Sequence, residues 1–283
     1  MRVAMASGKG GTGKTMVAVN LALTAARAGW TVHLCDCDVE APNAHLFLDP
    51  ELDESRVVTT PVPRVDHDLC KHCGACAEIC EFNAIACLPH RTMVFPDLCH
   101  GCAGCWLVCP NQAIAQDQRV LGAVAWGTAR GMSFTQGLLR VGETTVPPLI
   151  QAVKATSNGA PWVVLDSPPG TTCPVVETIR DVDYVVLVTE PTPFGQHDLA
   201  LAVELTRTLG LDCGVVINKA VAGRDRIDRY CTREGIEILA WIQFSREVAE
   251  ACAEGGLAID AVAEVAAAMA GLFQRLQARE AAA

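Results

Sequence analysis

The chain has 283 residues, 51% of them hydrophobic, a net charge of -10 and 15 cysteines. That length suits one large domain or two unequal ones, and the acidic balance argues against a broad nucleic-acid-binding surface, which needs excess Lys and Arg. No apolar run reaches the ~20 residues that span a bilayer, so stable membrane insertion is not expected. Met1 leads at once into a strand and a glycine-rich loop, so no signal peptide is expected. The cysteines are clustered, which points away from a secreted disulfide scaffold and toward a reducing cytoplasm.

Arg2–Ala6 reads as a short apolar strand. Gly8-Lys9-Gly10-Gly11-Thr12-Gly13-Lys14-Thr15 follows and fits G-x-x-x-x-G-K-[ST] throughout. Its glycines let backbone N–H groups face phosphate oxygens, and the helix that follows adds positive potential at its N-terminus. Lys14 is expected to reach the β- and γ-phosphates and Thr15 to ligate Mg²⁺. Lys14–Ala28 is a predicted helix with Val17, Leu21 and Ala25 on one face. Trp30–Cys35 is a second strand, ending in Asp36-Cys37-Asp38. Strand, loop, helix and strand in this order open an α/β fold, a mostly parallel sheet flanked by helices. The pattern then breaks and resumes at the strand Trp162–Leu165, which ends at Asp166. Strands Tyr184–Thr189 and Gly214–Asn218 come next, with a helix around Leu199–Leu209 between them. A last helix, about Ala258–Arg279, carries Ile259, Val262, Val265, Met269, Leu272, Phe273 and Leu276 on one stripe, which predicts packing on the sheet.

Residues 66–118 hold nine of the fifteen cysteines. Cys70, Cys73, Cys76 and Cys80 form one run and Cys99, Cys102, Cys105 and Cys109 another, each spaced C-x2-C-x2-C-x3-C. This is the spacing of bacterial two-cluster ferredoxins, in which the fourth cysteine of each run ligates the other cluster. The expected ligand sets are therefore Cys70, Cys73, Cys76 and Cys109 for one [4Fe–4S] cluster, and Cys99, Cys102, Cys105 and Cys80 for the other. Zinc is the alternative, since paired C-x2-C also builds four-cysteine zinc sites. Two whole runs, with Pro110 after the second, favour clusters. Cys80-Glu-Phe-Asn-Ala-Ile85 echoes Cys109-Pro-Asn-Gln-Ala-Ile114, a pseudo-symmetry that fits the same reading. Glu81 stands where ferredoxins usually have proline, and a carboxylate there would lower the potential of the cluster served by Cys80. His72 and His100 read as exposed loop residues and Cys87 as a core cysteine. The expected organisation is an ATPase domain over 1–65 and 119–283 with a small ferredoxin-like α+β domain inserted at 66–118.

The loop carries a second lysine, Lys9, and Lys9-Gly-Gly-Thr-Gly-Lys14-Thr15 resembles the deviant phosphate loop of the MinD/ParA/Mrp superfamily, which includes the nitrogenase iron protein. The resemblance covers roughly residues 1–50 and 120–283. It implies that Lys9 reaches the nucleotide of the facing subunit in a dimer and that Asp38 positions the attacking water. Asp166-Ser-Pro-Pro-Gly170-Thr resembles the second switch, which puts Asp166 near Mg²⁺; the form with two prolines is closest to the Mrp branch. Asn218 matches the family's adenine-reading asparagine. Cys173, seven residues after Asp166, is similar in offset to the cluster cysteine of the nitrogenase iron protein, whose other ligand cysteine has no clear counterpart here. Cys213, Cys231 and Cys252 form no C-x-x-C, which Mrp-type scaffolds carry in this region; Cys35 and Cys37 read as core. The expectation is a cytoplasmic ATPase that works as a homodimer or as a heterodimer with a related ATPase. Its cofactors would be ATP, Mg²⁺ and two [4Fe–4S] clusters. It would couple the nucleotide cycle to electron transfer or metal-cluster assembly on a redox or iron–sulfur client. The alternatives are a Mrp-type cluster carrier and a redox-sensing regulatory or positioning switch.

Overall fold

The computed structural model describes residues 1–223 and 225–281. The chain opens with β1 (Arg2–Ala6), α1 (Lys14–Arg27), β2 (Val32–Asp36), α2 (His45–Leu48) and β3 (Glu51–Val65). The cysteine-rich stretch contributes α3 (Ala75–Glu78), β4 (Ile85–Leu88), β5 (Arg91–Val94) and α4 (Gly104–Leu107), and is followed by β6 (Ile114–Ala129) and β7 (Met132–Leu139). Then come α5 (Pro147–Ala155), β8 (Trp162–Asp166), α6 (Cys173–Ile179), β9 (Tyr184–Thr189), α7 (Pro193–Thr208) and β10 (Cys213–Ala220). The chain closes with α8 (Arg226–Glu234), β11 (Glu237–Gln243), α9 (Arg246–Ala253), α10 (Ala258–Ala261) and α11 (Ala263–Glu280).

Among the described residues, nine strands form one sheet in the order β11-β10-β9-β1-β8-β2-β7-β6-β3, and β4 pairs antiparallel with β5. From β11 through to β7 every neighbour pairs in parallel. β2, β8 and β9 are buried along their whole length. They are continuous apolar runs rather than alternating ones because helices cover both faces of a parallel sheet. The strand order reverses about β1, with β8 and β2 on one side and β9 and β10 on the other. In open α/β sheets a ligand binds beyond the carboxyl ends of the strands at such a switch point.

The chain packs as two compact units. One comprises Met1–Ser55, Val124–Leu138 and the chain from Ile150 onward; the other comprises Arg56–Ala123 and Leu139–Leu149. In the first unit Val17 and Leu21 of α1 share one apolar cluster with Leu34, Val164 and Val186 of the sheet and Met269, Leu272 and Leu276 of α11. Phe273 meets Trp162 edge to face, with ring centroids 5.1 Å apart. Burying a side chain of this size stabilises by about 1.5–3 kcal/mol, so the stripe that marks the C-terminal segment in the sequence is what fastens it. The expected single helix is in fact two. Val262 leaves the helical region (φ -136°, ψ 118°) between α10 and α11. A β-branched residue loses χ1 freedom in a helix, which favours the break at that point.

The second unit is built from two conformational repeats. Cys70 and Cys99 lie 29 residues apart (99 − 70), and the left-handed residues repeat at that offset: His72 (φ 54°) and Gly101 (φ 70°), Gly74 (φ 86°) and Ala103 (φ 70°), Asn83 and Gln112 (both φ 51°). Each repeat turns into a one-turn helix, α3 or α4, and each closes with the same contact. The Ala84 N–H donates to Cys80 Sγ at 3.3 Å, and the Ala113 N–H donates to Cys109 Sγ at 3.3 Å. A buried ion pair, Arg119 with Glu143, braces this unit. Arg119 also donates to the Cys99 carbonyl at 2.8 Å, and Glu143 accepts the Thr144 and Thr145 N–H groups at 2.9 and 2.8 Å.

Candidate functional site: a nucleotide cavity and two four-cysteine cavities

The carboxyl ends of β1, β2, β8, β9 and β10 bring Gly8–Thr15, Asp36–Asp38, Asp166, Glu190 and Asn218 to one region of the first unit. A cavity of about 390 Å³ lies there, lined by Lys9 to Met16, Asp38, Asn43, Pro169 and Asn218. That volume falls in the ordinary range for small-molecule sites, about 300–1,000 Å³. Gly13 caps α1 in a left-handed conformation (φ 88°), with no side-chain cap and no acidic residue in the first turn. The N–H groups of the first turn therefore remain free to meet an anion. A Cβ on Gly13 would run into the Asn218 amide, and a Cβ on Gly8 into the Asp198 carbonyl. Gly8 serves that close approach and does not line the cavity.

Lys14 lies buried, its ammonium 3.0 Å from a carboxylate oxygen of fully buried Asp166. The other oxygen of Asp166 has no partner, and neither has the Thr12 hydroxyl nor the Asn43 amide oxygen. Buried polar groups without a partner are rare, and two such groups among the described residues, Thr12 and Asn43, line the cavity, which fits a polar ligand there. Asp36, also fully buried, accepts the N–H groups of Asp38 (3.1 Å), Asn43 (3.0 Å) and Ala44 (3.0 Å). It thereby pins the loop that presents Asp38. Burial, then the charge of Asp166, pushes the Asp36 carboxyl up to about 7. Burial pushes Asp38 up to about 6, against the pull of Lys14.

Asn218 donates its amide to the Thr12 carbonyl at 2.7 Å. Lys9 lies 3.5 Å from Glu190, which also holds Lys219 at 2.6 Å; Lys219 in turn donates to the Gly11 carbonyl at 2.9 Å. Sequence reasoning passes over Asp36 as a loop anchor and Glu190 altogether. The signal for Glu190 is its place directly after an apolar parallel strand, where ligand-facing residues collect. Cys252 also lines the cavity, while Cys173 is exposed on α6.

The second unit contains two further cavities. Cys70, Cys73, Cys76 and Cys109 line one. Cys80, Cys99, Cys102 and Cys105 line the other. The fourth cysteine of each run thus faces the first three of the opposite run. Among the described residues, no group of three or more His, Cys, Asp or Glu side chains is drawn close enough to hold a metal ion as it stands. The sulfurs surround cavities, and three of them accept backbone N–H groups: Cys80, Cys109, and Cys99 from Gly101 at 3.4 Å. Phe82 and His100 stack at 3.8 Å beside the second cavity.

A family model described as the CobQ/CobB/MinD/ParA nucleotide binding domain matches residues 3–258. An uncharacterized protein of Methanocaldococcus jannaschii is 30% identical over 280 residues, 98% of this chain and 96% of that protein. An iron-sulfur cluster carrier protein of Pyrococcus abyssi is 45% identical over 53 residues, 19% of this chain and 18% of the carrier. The septum site-determining protein MinD of Pyrococcus horikoshii, solved in complex with Mg-ADP, is similar with a TM-score of 0.62 at 19% identity, over 97% of this chain and 95% of that one. This last likeness is one of fold. The parallel sheet, the phosphate loop that opens it and the family match along most of its length together place the chain in the CobQ/CobB/MinD/ParA family of nucleotide-binding proteins.

Proposed function

We propose that the chain is a dimeric, ATP-hydrolysing iron–sulfur protein that couples its nucleotide cycle to electron transfer or metal-cluster assembly on a partner. The observation that carries this reading is the sorting of eight cysteines into two cavities by crossed sets, in a chain that also holds a phosphate-loop cavity. Four cysteine sulfurs around each cavity are the donor set that holds a four-iron cluster. Backbone N–H donation to ligand sulfurs is a recognised control on such a cluster's potential. When bound, the clusters would supply one-electron transfer. On this reading residues 66–118 act as an inserted ferredoxin-like domain.

In the nucleotide cavity the backbone of Lys9–Thr15 would cradle the phosphates and Thr15 would ligate Mg²⁺. Lys14 exchanges its bond to Asp166 for one to the phosphates, which leaves Asp166 free to orient the metal's water shell. Asp38, on the loop pinned by Asp36, orients the attacking water. Lys9 leaves Glu190 to reach the nucleotide of the facing subunit, and Asn218 reads the base. The partner is a second copy or a related ATPase, and the client is a redox or iron–sulfur protein.

A second reading, a Mrp-type cluster carrier, is favoured by the short match to the Pyrococcus abyssi carrier. Anaerobic purification tests the main one. It predicts about eight iron and eight sulfide per chain, retained through ATP turnover. Zinc in place of iron contradicts it, and release of iron to an apo-acceptor favours the carrier.

A further inference from the structure

The two cysteine cavities are not equivalent. The first has a fifth thiol in its wall, Cys87, beside Cys70, Cys73, Cys76 and Cys109. The second has four thiols. In the repeat of 29 residues the counterpart of Cys87 is Gln116 (87 + 29), so the extra sulfur belongs to one half alone. Cys87 lies on β4 and pairs across the hairpin with Thr92 of β5. Thr92 is buried, 3% exposed, and its hydroxyl touches two sulfurs, Cys70 Sγ at 3.4 Å and Cys87 Sγ at 3.5 Å. The two sulfurs are therefore at most 6.9 Å apart (3.4 + 3.5).

We propose that Cys87 is a reserve ligand of the first cluster, able to take the iron that Cys70 holds. This rests on the iron–sulfur reading above. In the exchange the iron–sulfur bond to Cys70 breaks and Cys70 takes up a proton. Cys87 gives up its proton and forms the new iron–sulfur bond. The Thr92 hydroxyl, which also lies 3.2 Å from His72 Nδ1, would turn from Cys87 to give its own proton to Cys70 as it takes the Cys87 proton, and no electron changes place. The device makes the first cluster able to change a ligand without dissolving, while among the described residues no fifth thiol lines the second cavity.

The test uses the full chain, prepared anaerobically, as wild type, Cys87→Ala, Cys70→Ala, the Cys70→Ala/Cys87→Ala double variant and Cys99→Ala. Wild type, Cys87→Ala and Cys70→Ala are each expected to hold about eight iron, the double variant and Cys99→Ala about four. Alkylation followed by mass spectrometry gives a second readout. Cys87 should react in the wild type and be protected in Cys70→Ala. Loss of half the iron in Cys70→Ala, or a Cys87 that still alkylates in that variant, overturns the proposal. Full iron in the double variant overturns it too, because another group would then be the replacement. A wild type without iron removes the iron–sulfur reading itself, a distinct result read before any variant is compared. Far-ultraviolet circular dichroism and ATP binding check that each variant is folded.

Discussion

Lys14 and Asp166 share a buried ion pair, so each depends on the other. Lys14→Ala is expected to abolish Mg²⁺-dependent ATP hydrolysis, read as phosphate release. It also leaves a buried carboxylate uncompensated, and breaking such a pair costs about 3–5 kcal/mol, so the variant should melt well below the wild type. Lys9 presents a gentler case. It is partly exposed, 33%, and its contact with Glu190 is long at 3.5 Å. Exposed pairs contribute about 0.2–1 kcal/mol, so Glu190→Gln should promote ATP-induced dimerisation by no more than about fivefold. Lys9→Ala should abolish that dimerisation while ATP still binds. Sedimentation with ATP checks both; unchanged dimerisation in Lys9→Ala removes the role given to that residue. In the second unit Arg119→Met leaves buried Glu143 with only Arg140, at 3.8 Å, as a charged partner, and the Arg119→Met/Arg140→Met double variant, which strands it, should cost about 3–5 kcal/mol in denaturant unfolding.

At the scale of elements, β2 carries two groups with opposite pH behaviour. His33 is buried against the Thr135 hydroxyl (2.8 Å), and burial lowers it to about 4. An unfolded histidine titrates near 6.5, so the unfolded chain holds the extra proton between about 4 and 6.5 and His33 makes stability rise with pH there. Asp36 is raised to about 7. An unfolded aspartate titrates near 3.9, so the folded chain holds the extra proton between about 4 and 7 and Asp36 makes stability fall with pH. In the nucleotide-free protein the two slopes oppose each other. Asp38, raised to about 6, adds to the fall between about 4 and 6, so His33→Gln should uncover the fall and the Asp36→Asn/Asp38→Asn double variant the rise, the latter up to about 1.4 kcal/mol per pH unit. Parallel slopes in the two variants, measured by denaturant unfolding from pH 4 to 7, would contradict both assignments.

The legibility of the elements follows the same physics. β1, β2, β8, β9 and β10 are readable because they are almost wholly buried and mostly apolar. β3 is not, since its first seven residues are exposed and rich in charge. β6 and β7 are joined across Arg130 and Gly131, both left-handed (φ 50° and 82°), a two-residue turn without the usual Asn-Gly or Asp-Gly signal. Lys14 and the eight cysteines are legible because fixed spacing carries them, and Asp38 because its segment resembles the family's first switch. Glu190 and Cys87 are not, because only the folded chain brings one to the phosphate loop and the other to a cavity wall.

At the scale of the whole molecule, both segments of the cysteine-bearing unit, Arg56–Ala123 and Leu139–Leu149, lie between Asp38 and Asp166 in the chain. Both of its ends thus lead into segments that face the nucleotide cavity. A ligand shifts an equilibrium only through different affinities for its states, and the linkage is reciprocal. If ATP and cluster state are coupled, ATP must move the clusters' potentials. The most direct measurement is an anaerobic redox titration of the iron-loaded protein, nucleotide-free, with ADP, and with a non-hydrolysable ATP analogue. The account predicts a shift of at least about 30 mV between the ADP and ATP-analogue states, about 0.7 kcal/mol for a one-electron couple, since about 59 mV is a tenfold change. Potentials that coincide in all three states would contradict it.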